Sequence, residues 1–133
     1  MSKIQLRNEI VFRAPTRVGL LADVTERLVG KGVNVLGIRA YDEGDTGVFL
    51  IYADDSRLAS EALETLDGKI SSARVISAEV PNRPGEIASV ARALANADIN
   101  VLEIHATTTD APTAEFVIDT DDNVQAIDIM QKL

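Results

Sequence analysis

The chain contains no cysteine, no tryptophan and a single histidine, and its aromatic residues amount to only 4%. Without cysteine there is neither a disulfide nor a thiolate nucleophile or ligand, which fits a cytoplasmic location. One histidine, His105, cannot build a metal-binding histidine cluster. Basic residues are also in deficit: 13 Lys and Arg stand against 21 Asp and Glu, for a net charge of −8. An acidic surface with few aromatics disfavours nucleic acid, which calls for basic and stacking groups, and it disfavours anionic membranes. No apolar run approaches the roughly 20 residues of a membrane span, and the N-terminus lacks the apolar core of a signal peptide. There is no Gly-x-x-x-x-Gly-Lys phosphate cradle and no Cys-His pair. These absences argue against an enzyme and lead us to expect no catalytic residue, no metal and no cofactor.

What the chain does have is a repeat. Gly19 aligns with Gly85 at an offset of 66 residues (85 − 19). The same offset carries Pro15 onto Pro81, Arg17 onto Arg83, Val24 onto Val90 and Leu28 onto Leu94. It also carries Asn34-Val35-Leu36 onto Asn100-Val101-Leu102 and Asp55 onto Asp121. The alignment runs without a gap to the end of the 133 residues, so the reading is two repeats, 1–68 and 69–133. Repeats set architecture and are read first. Each unit alone is near the lower limit for an adequate core, so the two are expected to pack together.

Within a unit the periodicity gives strand, helix, strand, strand, helix. In the first, 9–13 is β-rich and stops at Ala14-Pro15. Gly19 opens a helix whose Leu20, Leu21, Val24, Leu28 and Val29 recur at helical spacing, and Gly30-Lys31-Gly32 ends it. Strands at 33–41 and 46–53 flank a turn at Asp42–Asp45. Asp54-Asp55-Ser56 caps a second helix. The second unit repeats the path: strand 74–80, helix 85–96, strands 99–107 and 113–119, and a helix capped by Asp121-Asp122-Asn123. A fourth strand is available to the first unit at 70–75 but not to the second, which ends in a helix. The N-terminal segment 3–13 is long enough to serve both units, as is its counterpart 70–80. We therefore expect residues 3–8 to pair with 76–80 and residues 70–75 with 9–13, giving one broad antiparallel sheet with helices on one face. The alternative is two separate domains, the second lacking an edge strand.

Residues 80–101, Val-Pro-Asn-Arg-Pro-Gly-Glu-Ile-Ala-Ser-Val-Ala-Arg-Ala-Leu-Ala-Asn-Ala-Asp-Ile-Asn-Val, resemble the opening of an ACT domain. Arg17-Val18-Gly19-Leu20-Leu21-Ala22-Asp23-Val24 through Val33-Asn34-Val35 is a second copy. The resemblance implies an α+β fold of two ferredoxin-like (βαββαβ) units. It also implies a regulatory module binding a small ligand, most often an amino acid, at the interface between ACT units, commonly in a homodimer; the alternatives are a regulatory subunit docked on an amino-acid biosynthetic enzyme and a structural pairing module with a degenerate site.

The candidate ligand-binding residues follow from the two turns and from the Asn at each following strand start. In the second unit they are Asn82, Arg83, Pro84, Gly85, Glu86, Ile87 and Asn100; in the first, Arg17, Gly19, Leu20 and Asn34. The glycines permit close backbone approach. The N–H groups of Leu20 and Glu86 at the helix starts suit a carboxylate. Asn82 and Asn100 match positions that contact the ligand in serine-binding ACT domains, but the histidine found two residues earlier in that set is Val80 here. In the first unit Thr16 and Val18 replace Asn82 and Pro84, so the two sites are unequal and the second is the better formed, completed by the first unit's strand or by a second chain. Structural roles compete with these: turn geometry for the glycines, backbone satisfaction for Asn34 and Asn100, and pairing with carboxylates for Arg17 and Arg83.

Overall fold

The computed structural model describes residues 2–108 and 110–133. Its elements follow in the order β1 (Ser2–Pro15), α1 (Leu20–Gly30), β2 (Val35–Glu43), β3 (Thr46–Ala53), α2 (Ser56–Leu63), β4 (Lys69–Pro81), α3 (Glu86–Asn96), β5 (Val101–Thr107), β6 (Thr113–Thr120) and α4 (Asn123–Gln131). β3 lies between β2 and β1, and β6 between β4 and β5. The fold is α+β, with two ferredoxin-like units.

β1 and β4 are 14 and 13 residues long, against a usual strand of about 5–6. Their length lets each serve twice. One unit is Asn8–Ala73, and the other joins Arg74–Leu133 to the N-terminal segment ending at Arg7. Hereafter these are the first and second units. In the second, Ile4 and Leu6 pack on the core, and Lys3 pairs with Glu79 at 3.3 Å. Arg7 reaches Glu115 at 3.5 Å.

Each unit has its own core on the helix-bearing face of its strands. In the first, Ile10, Phe12, Phe49 and Ile51 meet Leu20, Val24 and Leu28 of α1 and Ala59, Ala62 and Leu63 of α2. Phe12 and Phe49 pack with ring centroids 6.2 Å apart. In the second, Ile76, Ala78, Phe116 and Ile118 meet Val90 and Leu94 of α3 and Ala126 and Met130 of α4. Alternation along β1 turns Glu9 and Val11 to the opposite face, where buried Glu9 pairs with Arg39 at 2.6 Å.

The repeat is not gapless. Ile38 faces Ile51 in the first unit and Ile104 faces Ile118 in the second, so an offset of 66 before the hairpin becomes 67 after it. Backbone bonds agree: Thr16 N–H donates to Asp45 O, and Asn82 N–H to Pro112 O. One extra residue therefore lies in the β5–β6 connection. The helix caps confirm the shift. Asp55 Oδ1 accepts from Leu58 N–H at 3.0 Å, and its true counterpart is Asp122, which accepts from Gln125 N–H at 3.1 Å. The preceding residues, Asp54 and Asp121, instead accept the backbone N–H of Asn34 at 3.0 Å and of Asn100 at 3.1 Å. Each Asp-Asp pair thus ties down the start of a strand with its first member and caps a helix with its second.

Candidate ligand-binding site

Gly85 holds φ at +94°, a left-handed conformation that only glycine adopts without strain, and it is the N-cap of α3. Gly19 does the same for α1 at +88°. The tight turn bends β4 back over the end of β5 and opens a pocket of about 380 Å³ in the second unit. One wall is the turn, Asn82 to Ile87. The other is the end of β5, Ala106 to Thr108, and the floor is Ala114 with buried Phe116.

Asn82 is held in place by donation from its Nδ2 to Ala111 O at 2.9 Å. Arg83 donates its Nε–H to Glu86, forming an ion pair at the rim. The two partners differ in freedom: the Arg83 side chain is 68% exposed and that of Glu86 only 16%. Thr108 Oγ1 donates to Thr113 O at 3.2 Å beside the pocket.

The first unit has a smaller counterpart of about 300 Å³, lined by Thr16, Arg17, Leu20, Leu21, Ala40, Tyr41, Asp42, Gly47 and Phe49. Its polar groups are turned on one another. Thr16 Oγ1 donates to Asp42 at 2.8 Å, and Arg17 pairs with Asp23 along α1. The N–H of Leu20 is bonded to Arg17 O at 3.3 Å. Leu20, standing where the second unit has Glu86, is buried against Gly47. Two roomier clefts in this unit, about 630 Å³ around Glu26, Lys31, Glu61 and Glu64 and about 560 Å³ around Pro15, Asp45 and Asp67, are rimmed by long charged side chains and turns. Neither contains a turn-and-helix motif of the repeat.

Six of the expected residues, Asn82 to Ile87, therefore line one pocket, and Arg17 and Leu20 line its counterpart. Asn34 and Asn100 lie elsewhere. Asn100 precedes β5, whereas the pocket uses the other end of that strand, roughly 20 Å away at 3.3 Å per residue. Ala106, Thr107, Thr108, Ala114 and Phe116 were not among the expected site residues. The register that places Ala106 opposite Phe116 is what brings them in. Among the described residues, no group of three or more His, Asp or Glu is arranged to hold a metal, and no helix is long and apolar enough to cross a membrane.

The chain belongs to the ACT domain family, whose model matches it twice, over residues 8–69 and 74–133. No curated protein sequence matches. Among solved structures, it is similar to protein BT0572 from Bacteroides thetaiotaomicron, at 20% identity and a TM-score of 0.87, over 98% of this chain and 90% of that one. It is also similar to the ligand-free regulatory subunit of aspartate kinase from Thermus thermophilus, at 20% identity and a TM-score of 0.66, over 97% and 95% of the two chains. Aspartate kinase from Synechocystis aligns at 20% identity and a TM-score of 0.63, over 97% of this chain but 26% of the enzyme. At such identities the likeness speaks for the fold.

Proposed function

We propose that this chain is a non-catalytic, cytoplasmic regulatory protein that senses an amino acid through the pocket at the start of α3. The observation that carries the reading is the coincidence of the repeat's turn with a formed pocket. The residues singled out by the family resemblance, Asn82 to Ile87, wall a cavity with an apolar floor and a charged rim. Sensing requires that the ligand favour one of two states of the protein or of its assembly.

The second state is set by a homodimer. β2 and β5 are edge strands, the places where a further strand can add to a sheet. Apolar side chains accompany both edges: Leu36 and Ile38 on β2, and Leu102 and Ile104 on β5, are each more than 40% exposed. Antiparallel pairing of β5 with β5 of a second copy would set the start of one strand beside the end of the other. Asn100 of one chain would then stand next to the Asn82–Ile87 pocket of its partner, so both asparagines of the motif would meet one ligand.

A second reading is a regulatory subunit docked on an amino-acid biosynthetic enzyme. It is favoured by the near-complete mutual coverage with the regulatory subunit of aspartate kinase from Thermus thermophilus. Thermal-shift measurement against the twenty amino acids at millimolar concentration tests the sensor reading, because a ligand that binds only the folded state raises the melting temperature. At least one amino acid is expected to raise it, and Asn100→Ala to abolish the shift without unfolding the protein. If none does, the sensor reading fails. Co-purification of a stoichiometric enzyme partner would decide for the second reading.

A further inference from the structure

We infer that Arg83 and Glu86 read the two charged ends of the ligand, and that the second-unit pocket selects a zwitterionic α-amino acid whose side chain carries no charge. This rests on the amino-acid-sensing reading above. Among the described residues the two side chains are the only charged ones lining the pocket, and they are opposite in sign. In the free protein they pair with each other. A zwitterion presents the same two charges, an ammonium for the Glu86 carboxylate and a carboxylate for the Arg83 guanidinium. It can insert into the pair and leave every charge compensated. Glu86 is held close to the wall, while Arg83 is largely solvated and can swing outward. Opening the pair is eased on the Arg83 side, where solvent takes up the guanidinium.

The rest of the lining decides the side chain. Ile87, Ala106, Ala114 and Phe116 are apolar, and Asn82, Thr107 and Thr108 are polar but neutral. With both charges engaged by the ligand's backbone groups, a charged side chain would enter without a counter-charge. That is a steep desolvation penalty. The first unit shows the same scaffold without the device. Leu20 occupies the Glu86 position, Arg17 is committed to Asp23, and the carboxylate that lines that pocket, Asp42, accepts from Thr16 Oγ1, so no Arg–Glu pair of the second unit's kind stands there.

The test is calorimetric titration of the full chain with alanine, serine, threonine, valine, leucine, aspartate and lysine. The tightest binder is then compared with its 2-hydroxy acid, which lacks the ammonium, and its amide, which lacks the carboxylate. A neutral amino acid should bind best, and both analogues should bind at least about tenfold more weakly. Glu86→Gln should lose about tenfold for the amino acid and leave the 2-hydroxy acid unchanged, so that the preference between them collapses. Arg83→Gln changes an exposed side chain and should remain folded. It should likewise erase the preference over the amide. Equal binding by the analogues, unchanged affinity in both variants, or a preference for aspartate or lysine would overturn the inference while leaving amino-acid sensing intact. Absence of binding by every amino acid would overturn both.

Discussion

Leu20 fills the space that a side chain on Gly47 would need: a Cβ built there would lie 2.8 Å from Leu20 Cδ2. In the second unit the corresponding pair is Glu86 with Ala114, which has that Cβ. The small-for-large exchange is a packing solution to a leucine turned inward at a helix start. It separates a hydrophobic plug in one repeat from a charged rim in the other. Gly47→Ala should therefore overpack the site, at about 1–3 kcal/mol, partly offset by the better strand residue. Leu20→Ala should relieve the clash. A double-mutant cycle by urea denaturation should show a favourable coupling of about 1 kcal/mol between the two substitutions. Additive effects would mean that they do not share the space.

Gly85 tests the turn by a different mechanism. No heavy atom lies within 4 Å of a Cβ placed there, so Gly85→Ala meets no steric obstacle and only the cost of φ at +94°. That cost is about 1–2 kcal/mol, or several degrees of melting temperature for a domain of this size. Calorimetry should show this loss. No loss would mean that the turn readily adopts another conformation.

The neighbouring aspartates Asp121 and Asp122 should behave differently from one another. Asp122→Ala removes the α4 cap, a loss of about 0.5–2 kcal/mol with helix fraying at its start. Asp121→Ala frees the Asn100 N–H and loosens the start of β5 instead. Hydrogen exchange checks the assignment: faster exchange should appear at Gln125 in the first variant and at Asn100 in the second.

Much of this was legible in the chain. Element order, the doubled unit and the turn residues followed from period and punctuation, because Pro-Gly, Gly-Lys-Gly and Asp-Asp each carry local backbone chemistry. The long strands were legible too, since 3–13 and 70–80 are each longer than one strand needs. The inserted residue in the second hairpin was not. Identity at Asp55 and Asp121 is satisfied by adjacent aspartates with different partners, and only hydrogen bonds tell them apart. The far wall of the pocket was also hidden. Thr107, Ala114 and Phe116 reach the turn through strand register, which the local sequence does not encode. The pairing of the Glu86 carboxylate with Arg83 depends on the geometry of the turn, which residue spacing alone does not set.

The edge strands make a separate prediction. If copies associate through them, a charge there should block it, since unpaired charges are costly in a desolvated contact. Ile104→Lys should weaken self-association at least about tenfold, equivalent to 1.4 kcal/mol, in analytical ultracentrifugation. Val124→Lys is a control, exposed on helix α4 and not on an edge strand. Equal effects of the two would point to a contact elsewhere.

The central claim is that the second-unit pocket is where the amino acid binds. Titration of the ¹⁵N-labelled chain with the stabilising amino acid, followed by amide chemical shifts, tests it most directly. The expected result is saturable shifts concentrated at Asn82, Arg83 and Gly85 to Ala88 and at Ala106 to Thr108, with Arg17 to Leu21 and Ala40 to Asp42 unmoved. Shifts confined to the first unit's turn, or none at saturating ligand, would contradict the account.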